Sequence, residues 1–210
     1  MPQGATDASH AACRDADCGL FALVRSAEVQ PVAELKAVPV APPLDPSNEW
    51  DDEQRELLTR GNPPRVLNVF ATLIRHQDLY RRWMPFANHV LFKSSLPPRE
   101  REMAILRIGW LCRSGYEFHQ HTRIGKDAGL SDAEIERLKS DPDAPGWTEA
   151  ESALLRAVDD LHGDQFISDA TWQRLSKHYD TRQVIDLVFA VGQYTLVSMA
   201  LNSFGVQIES

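Results

Sequence analysis

The chain is poor in cysteine, has no long uninterrupted apolar run and carries no basic tract. Each shortage excludes a class of protein. Only Cys13, Cys18 and Cys112 occur in 210 residues. A sparse, odd set gives no disulfide framework, and no Cys/His group has zinc-site spacing. No apolar run approaches the ~20 residues that span a bilayer, so no membrane partner is expected. Acidic residues outnumber basic ones, 30 to 22, for a formal charge of −8. That balance repels phosphate backbones, and no basic cluster is present to dock on anionic lipid, so no nucleic-acid partner is expected either. The apolar patch from Leu20 to Val24 is too short for a signal-peptide core, and a cytoplasmic location is the resulting expectation. What is present is 43% hydrophobic residues, enough for one domain with a sizeable core.

Residues 1–47 differ from the rest. They are rich in Ala, Asp and Pro, and AVPVAPPLDPSNEW reads as an extended linker. This arm is expected to be flexible, with room for a short helix over 18–36. The domain proper runs from 48 to 210. From Trp50 the pattern is helical throughout. Asp51 to Arg60 forms a polar helix that stops at Gly61. Pro63 or Pro64 can start the next, with Val66, Leu67, Val69, Phe70 and Leu73 on its apolar face. Asp78 to Phe92 follows. Pro97 and Pro98 open a helix that is apolar on nearly every side from Met103 to Cys112 except at Arg107, the mark of burial all round. A break at 113–115 leads into Tyr116 to Ala128, which Gly129 can terminate. Ser131 with Glu134, and Thr148 with Glu151, read as capping boxes, and Ser168 and Asp180 as further caps. No stretch alternates like a strand. The predicted class is all-α, a bundle of about eight helices.

The segment RERE MAILRIGWLCRSGYEFHQH holds the candidate chemistry. Glu117 and His121 are four apart and share one helix face, and Ser114 can start that face. Glu102 lies one helix earlier. If the two helices pack antiparallel about the break, Glu102 approaches His121 and a carboxylate–imidazole–carboxylate cluster results. Such a cluster favours the imidazolium and suits proton transfer near neutral pH. Spacing alone leaves a second reading open: an exposed i,i+4 pair, with Glu102 serving only the first turn of its helix. Arg107 reads either as the partner of a buried carboxylate or as a clamp for a substrate carboxylate. His89, Tyr116 and Tyr194 are candidate ligand contacts or satisfied core residues. His119, two residues from His121, points elsewhere, so a His-x-His metal site is not expected.

These residues resemble the carboxymuconolactone decarboxylase family, the superfamily that includes AhpD-type alkylhydroperoxidases. The peroxidase motif is Glu-x11-Cys-x2-Cys-x3-His. Glu102 takes the glutamate place, Ser114 and Glu117 the two cysteine places, and His121 the histidine place. TRIGKDAGLS keeps the spacing beyond it, and the likeness extends from about residue 48 to the C-terminus. Without the cysteine pair, thiol peroxidase chemistry is disfavoured. The pattern YEF-x-QH is similar to the cysteine-free, decarboxylase-like branch. The resemblance implies a lyase that needs no cofactor and acts on a small carboxylated lactone or oxo acid. His121 is then general acid/base, Glu117 and Glu102 orient it, and Arg107, Ser114, Tyr116, His89 and Tyr194 contact substrate. It also implies a homo-trimer or homo-hexamer. Alternatives are another proton-transfer enzyme (isomerase, dehydratase or retro-aldolase), a binding or scaffold protein, and a peroxidase working through Cys112.

Overall fold

The computed structural model describes residues 41–60 and 65–209. Most of the N-terminal arm lies outside them, including the helix expected over 18–36, Cys13 and Cys18, as do Pro63 and Pro64. Among the described residues all regular structure is helical. In chain order the helices are α1 (Asp52–Thr59), α2 (Asn68–Leu73), α3 (Gln77–Phe92), α4 (Pro98–Leu111), α5 (Gly115–Asp127), α6 (Asp132–Arg137), α7 (Glu149–Asp164), α8 (Asp169–Leu175) and α9 (Thr181–Phe204). The all-α class holds, with nine helices among the described residues where about eight were expected.

Local chemistry sets most of the starts. Asp51, Ser131, Thr148 and Asp180 each accept the N3 backbone N–H, and the N3 side chain returns to the cap backbone. Both capping boxes read from sequence are therefore formed, and Ser168 caps α8. Two of these boxes are tied to the centre: Arg99 of α4 pairs with Glu134 and with Glu151. Pro98 takes the first position of α4, where its missing N–H costs nothing.

One start differs from expectation. α2 begins at Asn68 rather than at Pro63 or Pro64, and Leu67 before it is extended. Its open N–H groups are met from far along the chain. The Glu209 carboxylate accepts from Asn68 N–H at 2.7 Å, and the Tyr116 hydroxyl from Val69 N–H at 3.3 Å. No local signal marks that start, because its partners lie near the C-terminus and in α5. Leu44, in the Pro-rich stretch, is also buried, and its N–H bonds Ala71 O at 3.0 Å.

α4 is the central rod, packed against α5, α7 and α9, and every residue from Glu102 to Gly109 is buried. α5 runs back antiparallel to it. The turn is made at Arg113, which takes a left-handed φ of 54°, and Gly129 ends the segment after α5 with φ 98°.

α9 covers one side of α4. Among the described residues it is the one helix long and apolar enough to cross a bilayer, and half of its apolar window is packed inside the protein. Counting uninterrupted apolar residues overlooked it, because Gln193, Thr195 and Ser198 punctuate it. Val184, Leu187 and Val191 enter the core, while Ile185, Phe189, Leu196 and Met199 are exposed. Beside this uncovered stripe a cavity of about 290 Å³ opens between α3 and α9, lined by Phe86, Val188, Phe189, Gly192, Gln193 and Leu196.

Candidate active site

Two glycines allow α4 and α5 to come close enough for their polar side chains to meet. A Cβ on Gly109 of α4 would lie 3.4 Å from Glu117 Cγ. A Cβ on Gly125 of α5 would lie 3.1 Å from Cδ1 of both Leu106 and Leu130, and 3.8 Å from Glu102 Cβ. The contacts pair the end of one helix with the start of the other, the antiparallel arrangement the cluster requires.

His121 lies between two carboxylates. Its Nδ1 is 2.7 Å from Glu102 Oε2, and its Nε2 is 3.0 Å from Glu117 Oε1. Glu102, Glu117 and His121 are exposed by only 0%, 5% and 6%. The exposed-pair reading is therefore excluded. Burial pulls the imidazole pKa down, but the Glu117 charge, the hydrogen bonds to Glu102 and Glu117 and the Glu102 charge pull it up. The balance stands at about 9, so the ring is an imidazolium at neutral pH. The Tyr194 ring meets His121 edge-on, with centroids 4.9 Å apart. Burial, then the charges of Glu117 and Glu102, hold its phenol well above the ordinary range. Arg101, one residue before Glu102, donates from Nε to Glu102 Oε1 at 3.3 Å. Sequence reasoning missed it, since adjacent helical residues do not normally face one another. Ser114 is the N-cap of α5 and fully buried, and its Oγ has no hydrogen-bond partner among the described residues.

A proton held this way has a thermodynamic consequence. The folded pKa of His121 is raised above its ordinary 6.5, so its stabilising contribution is complete below pH 6.5. It is lost as pH rises to about 9. Denaturant titrations across that window should show stability falling by about 3 kcal/mol from this group. A flat profile would mean the imidazolium is not held.

Three of the expected substrate contacts are placed elsewhere. Arg107 faces α7 and chelates Asp159, with Nε to Oδ1 and Nη2 to Oδ2 both at 2.7 Å. Its Nη1 donates to the carbonyls of Leu138 and Ser140, again at 2.7 Å. The guanidinium satisfies the protein's own acceptors and is no substrate clamp. Tyr116 donates to Glu209 at 2.6 Å on the far side of α5, so its hydroxyl is structural. His89 is 53% exposed at the end of α3 and 4.0 Å from Asp186, away from the cluster. The structure therefore brings Glu102, Glu117, His121 and Tyr194 together, and Ser114 stands one turn before Glu117. His119 is exposed. Among the described residues no group of three His, Cys, Asp or Glu is placed to hold a metal ion.

Cys112 ends α4. Burial pushes its thiol pKa up, against the lowering effect of the Thr195 and Ser198 hydroxyls, so it is held as the weakly nucleophilic thiol. Among the described residues it is the one cysteine, and it is free.

Residues 77–160 match the family model for the carboxymuconolactone decarboxylase family. The matched segment, which holds Glu102, Glu117 and His121, is similar to that family. The solved structures agree on its fold. A peroxidase-related protein from Silicibacter sp. TM1040 superposes with a TM-score of 0.71 at 14% identity, covering 85% of this chain and 95% of that one. An alkylhydroperoxidase AhpD core protein from Ralstonia eutropha JMP134 gives 0.71 at 17%, covering 83% and 95%. The debrominase Bmp8, a variant of which was solved with 2,3,4-tribromopyrrole, gives 0.69 at 12%, covering 83% and 94%. At these identities the likeness establishes the fold and leaves the chemistry to the site. No curated protein matches the chain by sequence.

Proposed function

We propose that this protein is a lyase that needs no cofactor and decarboxylates a small carboxylated lactone or oxo acid. The observation that carries the reading is the buried imidazole of His121 held between Glu102 and Glu117. In a substrate whose carboxylate is conjugated with, or β to, a carbonyl, the C–CO₂⁻ bond breaks and its electron pair moves onto the carbonyl oxygen. CO₂ leaves, and the resulting enolate takes one proton at carbon. The substrate is its own electron sink, so the protein has only to orient it, stabilise the enolate and supply the proton.

Both nitrogens of His121 are engaged, which divides the roles. Glu102 fixes the ring through Nδ1. Glu117 shares the Nε2 proton through Oε1, and its other oxygen makes no hydrogen bond to the described residues. Glu117 is thus the group that hands a proton to substrate, with His121 as the reservoir behind it. Acid–base help of this kind contributes roughly 10²–10⁴-fold.

The test is a panel of β-oxo acids and carboxylated unsaturated γ-lactones in D₂O, followed for CO₂ release and for deuterium at the product carbon. One CO₂ per product molecule, with one deuterium incorporated, is the expected result, and Cys112→Ser should not change it. Deuterium exchange next to the carbonyl without CO₂ would replace the decarboxylase reading by an isomerase or retro-aldolase one. Peroxide reduction lost in Cys112→Ser would replace it by thiol chemistry.

A further inference from the structure

The proton-transfer scheme leaves one cation beside the cluster without a task. Arg101 is largely withdrawn from water, its side chain only 11% exposed. Its Nε edge is turned to Glu102. Its two terminal nitrogens have no partner among the described residues. Two other arginines of α4 differ: Arg107, more deeply buried, donates to Asp159 and to two carbonyls, and Arg99, more exposed, pairs with Glu134 and Glu151. A mostly buried guanidinium that satisfies one of its donors and leaves its forked end unpaired is an open anion site.

Charge and position point the same way. Two carboxylates and one imidazolium sum to −1, and an anionic substrate entering that field would be repelled. Arg101 brings the sum to zero. Tyr194, whose ring rests on His121, has a hydroxyl without a hydrogen bond among the described residues. The Arg101 charge is felt at that hydroxyl, where it opposes the effects of burial and of the two carboxylates.

During loss of CO₂, negative charge leaves the carboxylate and builds on the carbonyl oxygen. A cation on the departing carboxylate would stabilise the ground state, whereas a cation on the carbonyl oxygen stabilises the transition state. We propose that the terminal nitrogens of Arg101 form the oxyanion site of this enzyme, holding the oxygen on which the enolate develops. The inference rests on the proton-transfer reading but not on decarboxylation itself, since isomerisation and retro-aldol cleavage pass through the same enolate.

Oxalate, a planar dianion that imitates the enolate of an oxo acid, is the probe. Isothermal titration of the full chain, free of divalent metal, should show oxalate binding that weakens about tenfold or more in Arg101→Gln, the scale of a lost charged hydrogen bond. Arg101→Lys, which keeps the charge beside Glu102 but not the fork, should bind with intermediate affinity and provides the reading should the glutamine variant not fold. The His121 imidazole NMR titration serves as control, and an elevated pKa retained in the variants shows the cluster still assembled. Undiminished oxalate affinity in either variant, or no binding by the wild-type protein, overturns the proposal. Arg101-dependent oxalate binding with no CO₂ from any substrate would keep the oxyanion site and remove only the decarboxylase reading.

Discussion

Glu117→Gln is expected to lower kcat by roughly 10²–10⁴-fold with the fold intact, at a stability cost of at most about 3 kcal/mol, the share the retained His121 proton supplies. Glutamine has the same shape, and its amide oxygen can still accept from His121 Nε2, 3.0 Å away in the native protein. It cannot accept or deliver a proton. The Glu117 charge is also the foremost influence raising the His121 pKa against burial. The variant should therefore titrate His121 at lower pH, visible in the imidazole NMR shifts. A variant that keeps wild-type turnover would remove Glu117 from the mechanism. Lost turnover together with a collapsed fold would make its role structural.

The second large effect concerns stability. Arg107→Met is expected to cost about 3–5 kcal/mol in denaturant unfolding, with little change in turnover per folded molecule. The guanidinium is nearly buried, its side chain 6% exposed beside an Asp159 side chain that is 22% exposed. Removing it leaves that carboxylate and the carbonyls of Leu138 and Ser140 without their donors. Methionine fills similar volume, so the loss is electrostatic and not a cavity. A loss below about 1 kcal/mol with a sharp rise in KM would restore the substrate-clamp reading that the isolated arginine suggested.

Arg107 and Arg101 show where sequence reading stops. An arginine alone in an apolar run must have an anionic partner, and that much is readable. Whether the partner is ligand or protein depends on Asp159, 52 residues on, and no periodicity links the two. Arg101 carried no signal, since its contact with Glu102 is between adjacent residues. Tyr116 misled for the reason Arg107 did, its acceptor Glu209 being 93 residues away. His89 lies on the exposed face of an amphipathic helix, next to the buried Val90, a matter of how α3 sits on α9.

The sequence by itself determined the helical class, nearly every helix start and the pairing of Glu117 with His121. Capping oxygens, proline at a first turn and i,i+4 spacing act over a few residues, and local chemistry suffices for them. It also determined that no cysteine pair occupies the motif positions. The tertiary structure decided that Glu102 reaches the same imidazole, that the cluster is dry and that Arg101, not Arg107, faces it. Those outcomes depend on α4 and α5 closing on each other through Gly109 and Gly125. Low dielectric and opposed charges come into being only when separate helices exclude the water between them.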